Sequence, residues 1–378
     1  MEENKAFLQF VRFVAISGVG GLLLSLTGLS IGWMIGTLLM ATFLSILRSK
    51  FWKVPHNQKG IPKYWLYIGQ CILGIELGQK INSSVLFIFQ ENWATILIML
   101  LLSIFFSLLS GFVLWKYSKL DMLTSFFATA PGGMSSLPSI AEDVGANTGI
   151  VSIIQTMRVF LVILAIPLII SLWIGNSVDF ENSHTASTES TNFEIEQLLW
   201  TVALVLTAWV GYYFGKYLKF PAPWLIGSMV SVAIVKSFSS VFIGFDLVAW
   251  WPQGFIVVSQ IFIGASIGSR FHKNMFRGLK RTLFISFLST IGLILSMFLC
   301  AFIVSTVTGI PFHTSALAFA PGGIAEMTTT AVVLEADSTF VVAVQVLRVV
   351  AVCLILPPIF RFLRHWELKK KTHSRISA

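Results

Sequence analysis

The chain has 378 residues, 56% of them apolar and 11% charged, with a mean hydropathy of +0.83. A soluble domain carries about 25% charged residues, so a water-facing surface is excluded over most of the molecule and lipid is the expected solvent. The net charge is +9, but the basic residues cluster beside apolar segments, which argues for a membrane-orientation signal and against a nucleic-acid surface.

A helix crossing the hydrocarbon needs about 20 apolar residues. In chain order, such stretches run near 8–26, 31–47, 64–79, 93–115, 122–140 and 149–174. They return near 197–215, 223–243, 253–269, 283–307, 312–331 and 339–360. None alternates with period two, so helices are expected rather than barrel strands. The first stretch leads into the second without a small-residue cleavage site, so it reads as a span, not a cleavable leader. Basic clusters at 48–63, 270–281 and 361–375 mark the expected cytoplasmic side, and with it the C-terminus. Between Arg158 and Lys216 there is no Lys or Arg, and 175–196 is polar and acidic, with Asp179, Glu181, Glu189, Glu194 and Glu196. That interval reads as an external linker. The expected organisation is a membrane repeat at 1–174, a linker at 175–196, a second repeat at 197–362 and a basic tail at 363–378.

The halves are copies. Residues 124–167 align without a gap to 314–357, with 16 of 44 positions identical and an offset of 190. The matches include Ala130-Pro131-Gly132-Gly133 with Ala320-Pro321-Gly322-Gly323, Gln155 with Gln345, and Arg158 with Arg348. Gln70, Gly74, Gly78 and Lys80 match Gln260, Gly264, Gly268 and Arg270 at the same offset. Gly32-Trp33-x-Ile35-Gly36 resembles Pro223-Trp224-x-Ile226-Gly227. Lys80 belongs to a weakly charged loop and its counterpart Arg270 opens a strongly basic one. If basic means inside, equivalent loops lie on opposite sides and the copies are inverted. Inversion needs an odd number of crossings per half, so one of the six apolar segments in each half must not span, and the Pro-Gly-Gly segment is the candidate. A parallel arrangement of six plus six would leave one basic cluster outside.

Proline removes a backbone donor and clashes with the preceding turn, and adjacent glycines add freedom. Ala-Pro-Gly-Gly inside an apolar segment should therefore break or turn back the helix. Unwound backbone at that depth must be buried in protein or line a watery cavity. A helix restarting there presents free N–H groups and a positive dipole end, suited to an anion. The simpler reading is a kink that serves packing. Just past the break, Ser135 and Ser136 correspond to Ala325 and Glu326, so one side is built to hold a group that the other does not.

Arg158 and Arg348 lie deep in their segments, with Gln155 and Gln345 three residues before them on the same helical face. A mid-bilayer Arg costs at least ~2.5 kcal/mol, so it faces protein or water and has a partner. It either contacts a solute or caps carbonyls freed by the broken helix. Glu326 and Glu76 are candidate proton carriers, since desolvation raises a carboxylate pKa; the alternative is an ion pair, with Lys80 for Glu76 or Arg348 for Glu326. Glu142, Asp143, Glu335 and Asp337 read as solvated loop charges. The histidines, at 56, 184, 272, 313, 365 and 373, are scattered, and no phosphate-binding loop, metal set or nucleophilic triad can be assembled. Cys71, Cys300 and Cys353 lie in apolar segments and read as core residues.

The twin Ala-Pro-Gly-Gly motifs, each followed by Gln-x-x-Arg, together with Pro221-Ala222-Pro223-Trp224-Leu225-Ile226-Gly227, resemble the bacterial membrane AbrB family over nearly the whole chain. That family is a duplicated hydrophobic unit whose members carry labels such as ammonia monooxygenase and regulator of gene expression. Its plan resembles the cation/proton antiporter and anion transporter superfamily, which implies inverted repeats with crossed, broken helices. The scattered histidines do not support an oxygenase centre, and no DNA-reading module is present.

The expectation is an all-α polytopic protein of the inner membrane, with two inverted repeats of about five spanning helices plus a Pro-Gly-Gly broken or re-entrant helix each. The expected function is secondary transport of a small, anionic organic solute by alternating access. The expected site comprises Pro131, Gly132, Gly133, Ser135, Ser136, Gln155 and Arg158 with Pro321, Gly322, Gly323, Glu326, Gln345 and Arg348. The alternatives are a monovalent cation/proton exchanger and a membrane sensor that acts indirectly on gene expression. No cofactor, metal or catalytic residue is expected, and no direct nucleic-acid partner; the partners are the solute, the bilayer and, left open, further copies of the chain.

Overall fold

A computed structural model describes the chain apart from residues 1, 30, 48–59, 82–83, 132–144, 176–194, 240–248, 273–274, 276–277, 353, 357 and 359–378. The described residues form helices and turns, with no strand among them. The first half holds α1 (Glu2–Ser25), α2 (Gly32–Leu47), α3 (Tyr64–Lys80), α4 (Ser84–Ser118), α5 (Met122–Thr129) and α6 (Thr148–Gly175). The second holds α7 (Ile195–Tyr217), α8 (Pro223–Phe238), α9 (Gly254–Gly268), α10 (Lys280–Thr308), α11 (Phe312–Phe319), α12 (Ile324–Val333) and α13 (Ser338–Leu356). Local chemistry sets their ends. Pro223 opens α8, where a missing N–H costs nothing. Asp121 caps α5 by accepting from the Thr124 N–H at 2.8 Å. Gly309, at φ 73°, closes α10 in the left-handed region.

Among the described residues, six helices are long and apolar enough to cross a membrane: α1, α4, α6, α7, α10 and α13. The apolar expectation therefore holds, with one difference in length. The 16 residues of α2 rise only about 24 Å, short of the ~30 Å hydrocarbon core, and α3, α8 and α9 are similarly short.

The sequence repeats are not the spatial units. One compact unit comprises Met1–Phe87, Leu164–Lys273 and Ile324–Thr339; the other comprises Ile88–Ile163, Asn274–Gly323 and Phe340–Ala378. Each unit draws on both halves because each half's helices pack on the other's.

The first unit is a glycine-mediated zipper. Gly20 and Gly36 bring α1 and α2 so close that a Cβ on Gly36 would lie 2.2 Å from the Gly20 carbonyl oxygen. Their counterparts Gly211 and Gly227 do the same for α7 and α8, at 2.3 Å. Gly74 and Gly78 of α3 meet Leu225 and Met229 of α8, while Gly264 and Gly268 of α9 meet Met34 and Leu38 of α2. Contact for contact, one set is the other displaced by 190 or 191 residues. Small residues allow such backbone approach where lipid supplies no hydrophobic drive between helices.

The contacts also give directions. Gly74 then Gly78 meet Leu225 then Met229, so α3 and α8 run parallel; α9 and α2 run parallel by the same test. Ile61 N–H donates to Ser269 Oγ at 3.1 Å, Trp65 packs on Phe262, and Ser259 Oγ donates to the Gly69 carbonyl at 2.9 Å. The numbering rises along α3 as it falls along α9, so these two are antiparallel. Trp224, in the Pro-Trp motif, stacks between Tyr212 and Tyr67.

In the second unit, α4 and α10 run antiparallel. Ser110 and Ser289 share a hydroxyl bond of 2.6 Å, and Arg281 Nε donates to the Tyr117 carbonyl at 3.1 Å. A core of Phe126, Phe127, Ala128 and Ala130 from α5 packs with Val151 and Ile154 of α6 and Val352 and Leu356 of α13.

Candidate functional site

Both breaks form where the residue before proline leaves the helix. Ala130 (φ −56°, ψ 133°) ends α5 and Ala320 (φ −54°, ψ 136°) ends α11. Proline disfavours the α conformation in the residue preceding it. The last carbonyls of each half-helix are left without intrahelical donors and carry the negative end of its dipole.

The Gln-x-x-Arg motif supplies those donors. In the first copy, Gln155 Nε2 donates to the Phe127 carbonyl at 3.0 Å. Arg158 Nη1 donates to the carbonyls of Thr129 and of Ala130, the latter at 3.0 Å. In the second copy, Gln345 Nε2 donates to Leu317 and Ala320 at 2.9 and 3.1 Å. Arg348 Nη1 donates to Ala320, and Nη2 donates to Gly322 at 2.9 Å and to Gln345 Oε1 at 2.5 Å. The carbonyl-capping reading of the arginines is therefore realised in both copies.

In the first copy the register of α5 and α6 is fixed by side-chain bonds. Asn147 N–H, just before α6, donates to Thr124 Oγ1 in the first turn of α5 at 2.9 Å. Gln155 and Arg158 lie further along, beside Phe127 and Thr129. So α6 runs parallel to α5 and starts level with its beginning. The same register links α11 and α13, with Leu317 beside Gln345 and Ala320 beside Arg348.

Arg158 and Arg348 are 4% and 3% exposed and lie close enough for their like charges to act on each other. Among the described residues, neither meets a carboxylate within ion-pair distance. Gln155 Oε1, Ser315 Oγ and the Nε atoms of both arginines are buried with no hydrogen-bond partner among the described residues. Two buried guanidiniums and spare polar atoms thus gather beside the two breaks in one unit.

Glu326 lies in the first unit. It is 7% exposed, at the start of α12, whose residues from Ile324 to Ala331 are all buried. That helix packs on α3 and α9. The Glu326 carboxylate bonds its own backbone N–H and feels the charge of Arg270. Burial pulls Arg270 below the ordinary guanidinium value, and Glu326 and Tyr67 pull it back up. No ion pair of Glu326 with Arg348 is found among the described residues, and the cation whose charge reaches it is Arg270. Sequence reasoning missed this because 56 residues separate the two. Glu76, buried on α3, pairs with exposed Lys80 at 2.7 Å, which is the ion-pair alternative raised for it. Gln70 and Gln260 are buried, with Gln260 Oε1 unpartnered among the described residues. Pro131 is buried, Pro321 is buried, and Gly322 and Gly323 are half-buried. Gly132, Gly133, Ser135, Ser136, Glu142 and Asp143 lie outside the described residues. No group of three or more metal-ligating side chains occurs among the described residues.

The sequence profile of a family described as "Transition state regulatory protein AbrB" matches residues 33–364. A Bacillus subtilis (strain 168) protein named "Uncharacterized protein YhjN" is 53% identical over 374 residues, covering 98% of this chain and 97% of its own. An Escherichia coli (strain K12) protein named "Putative regulator AbrB" is 27% identical over 310 residues, covering 82% of this chain and 86% of its own.

Proposed function

The chain belongs to the AbrB family of membrane proteins, and from that premise we propose that it is a secondary transporter, moving a small anionic organic solute across the bacterial inner membrane by alternating access. The observation that carries this reading is the pair of buried guanidiniums, at two matched helix breaks, with no carboxylate within ion-pair distance among the described residues. A carboxylate-bearing solute between them would relieve their repulsion and take up their spare Nε donors. Glu326, buried beside Arg270, is the proton-coupling group in this reading, and no step of it is catalytic.

Many alternating-access transporters are built from two copies facing opposite ways. The helix directions support that. Antiparallel α3 and α9 each run with the other half's second helix, so α7, α8 and α9 are oriented opposite to α1, α2 and α3. In this reading the Pro-Gly-Gly element turns back and the shorter α2, α3, α8 and α9 also cross, packed within the bundle, which gives five crossings per half, as inversion requires. With the N-terminus inside, that count puts the basic stretches at 48–63, 270–281 and 361–375 on the cytoplasmic face and the acidic linker outside. Cysteines placed at Lys80 and Arg270 should then label from opposite sides in intact cells; labelling from one side removes the inverted arrangement.

The decisive test uses purified protein in detergent, screened by thermal unfolding against carboxylic acids, amino acids and monovalent cations. A true solute at 100 times its Kd adds about 2.7 kcal/mol. One anion class should stabilise the wild type, lose its effect in Arg158→Ala and Arg348→Ala, and exchange across proteoliposomes. Stabilisation by cations alone, abolished by Glu326→Gln, would replace this reading with cation/proton exchange, which the buried carboxylate favours. Binding without flux would favour a membrane sensor that acts indirectly on expression, the reading suggested by the name of the Escherichia coli relative.

A further inference from the structure

A groove of 680 Å³ runs between α4 and α10 in the second unit. Its walls are apolar side chains, among them Leu109, Val113, Phe284 and Leu288. The only hydroxyls within hydrogen-bonding reach of each other there, those of Ser110 and Ser289, already satisfy one another. Gly292 forms part of the lining, and a Cβ added to it would meet nothing within 4 Å. Phe284 and Leu288 are 68% and 61% exposed, so the groove opens outward along their side.

One end of the groove differs from the rest. Tyr117 and Arg281 close it. Arg281 spends Nε on the Tyr117 carbonyl at 3.1 Å. Its sequence neighbour Lys280 is exposed, as are Lys116 and Lys119 at the end of α4. Because α4 and α10 are antiparallel, all four cations share this end. From Arg281 to Ser296 the groove extends roughly 22 Å at 1.5 Å per residue, more than half of the ~30 Å hydrocarbon thickness. An apolar channel one leaflet deep, with its cations gathered at the interfacial end, matches one kind of molecule: long acyl chains carrying an anionic head group.

We propose that the α4–α10 groove is a binding site for an anionic glycerophospholipid, with acyl chain along Leu109, Val113, Leu288 and Gly292 and phosphate among Lys116, Lys119, Lys280 and Arg281. The positive charge assigns the lipid to the cytoplasmic leaflet. The site is separate from the two helix breaks and does not depend on what passes through them.

The test is native mass spectrometry of protein extracted from nanodiscs of equimolar phosphatidylcholine and phosphatidylglycerol. The wild type should retain phosphatidylglycerol over phosphatidylcholine. Lys280→Gln with Arg281→Gln should weaken that retention about 30-fold, with the fold intact by thermal unfolding. Gly292→Phe should block retention of either lipid while leaving all four cations in place. Equal retention of both lipids, or retention unchanged in both variants, overturns the proposal. So does a wild-type dimer that Gly292→Phe converts to monomer without changing lipid retention, since the groove would then belong to a second copy.

Discussion

The two copies of the break motif share their residues but not their bonding. Among the described residues, Arg348 uses two nitrogens on three acceptors, one of them Gln345 Oε1, whereas Arg158 uses a single nitrogen on two carbonyls; Gly132, the counterpart of the acceptor Gly322, lies outside the described residues. Gln345 donates twice and accepts once; Gln155 donates once, and its Oε1 has no partner among the described residues. Among the described residues the second copy is the more closed network, with a bond between its Gln and Arg side chains, and the first the looser one. The glycine zipper shows the opposite: a Cβ added to Gly36 or to Gly227 would fall 2.2 or 2.3 Å from the facing glycine carbonyl oxygen, nearly the same in both copies. Duplication has kept the scaffold symmetric and let the polar site diverge. A symmetric pathway needs matched packing in both copies, while a solute with one charged end needs only one firm anchor.

The largest expected effect tests the symmetric part. Gly36→Ala and Gly227→Ala each drive a Cβ into backbone that cannot rotate away. Each should cost about 3 kcal/mol, and the two should agree closely in thermal unfolding. Gly292→Ala, with open space around it, should cost almost nothing and serves as the control. A large gap between Gly36→Ala and Gly227→Ala would break the symmetry argument.

The next effect tests the asymmetric part. A lysine presents one point-like cation and can replace a guanidinium that works through one nitrogen, but not a fork. Arg158→Lys should cost less than about 1 kcal/mol, and Arg348→Lys about 2–3 kcal/mol, from bonds to charged groups lost at buried acceptors. Equal costs would mean that the difference in bonding between the copies carries no energy.

Much of the fold was legible because membrane sequence is written in few signs. Apolar stretches marked the helices to within a few residues for α2, α3 and α9. Pro131 and Pro321 marked the breaks, because proline acts on its own neighbours. The glycines that form the zipper were visible as a repeat, but which helix each one faced was not. A glycine carries no sign of its partner, and α3 packs on α8, more than 140 residues away. The site was legible as a residue set and illegible as a network. Arg158 could be seen to need a partner, yet the partners are main-chain carbonyls, which every residue has. The α4–α10 groove left no sequence signal, since its lining differs from any lipid-facing helix only by the shape between two surfaces.

The smallest effect is the sharpest, because it isolates one bond. The Arg348 Nη2 to Gln345 Oε1 contact joins the two side chains of the second copy. In the first copy Gln155 and Arg158 reach neighbouring carbonyls, Phe127 and Thr129, with no bond between their own side chains among the described residues. Side chains that touch couple by 0.5–3 kcal/mol, and side chains that act separately add. A double-mutant cycle of Gln345→Leu with Arg348→Lys should therefore return a coupling of about 1 kcal/mol. The cycle of Gln155→Leu with Arg158→Lys should return a value near zero. Leu preserves volume and removes the amide, so packing cancels between the arms of each cycle. Repeating both cycles with a stabilising anion present adds a further discrimination. If the loose copy is where the solute docks, its Gln155 and Arg158 acquire a shared partner, and their coupling should rise toward that of the second copy, which stays as it was.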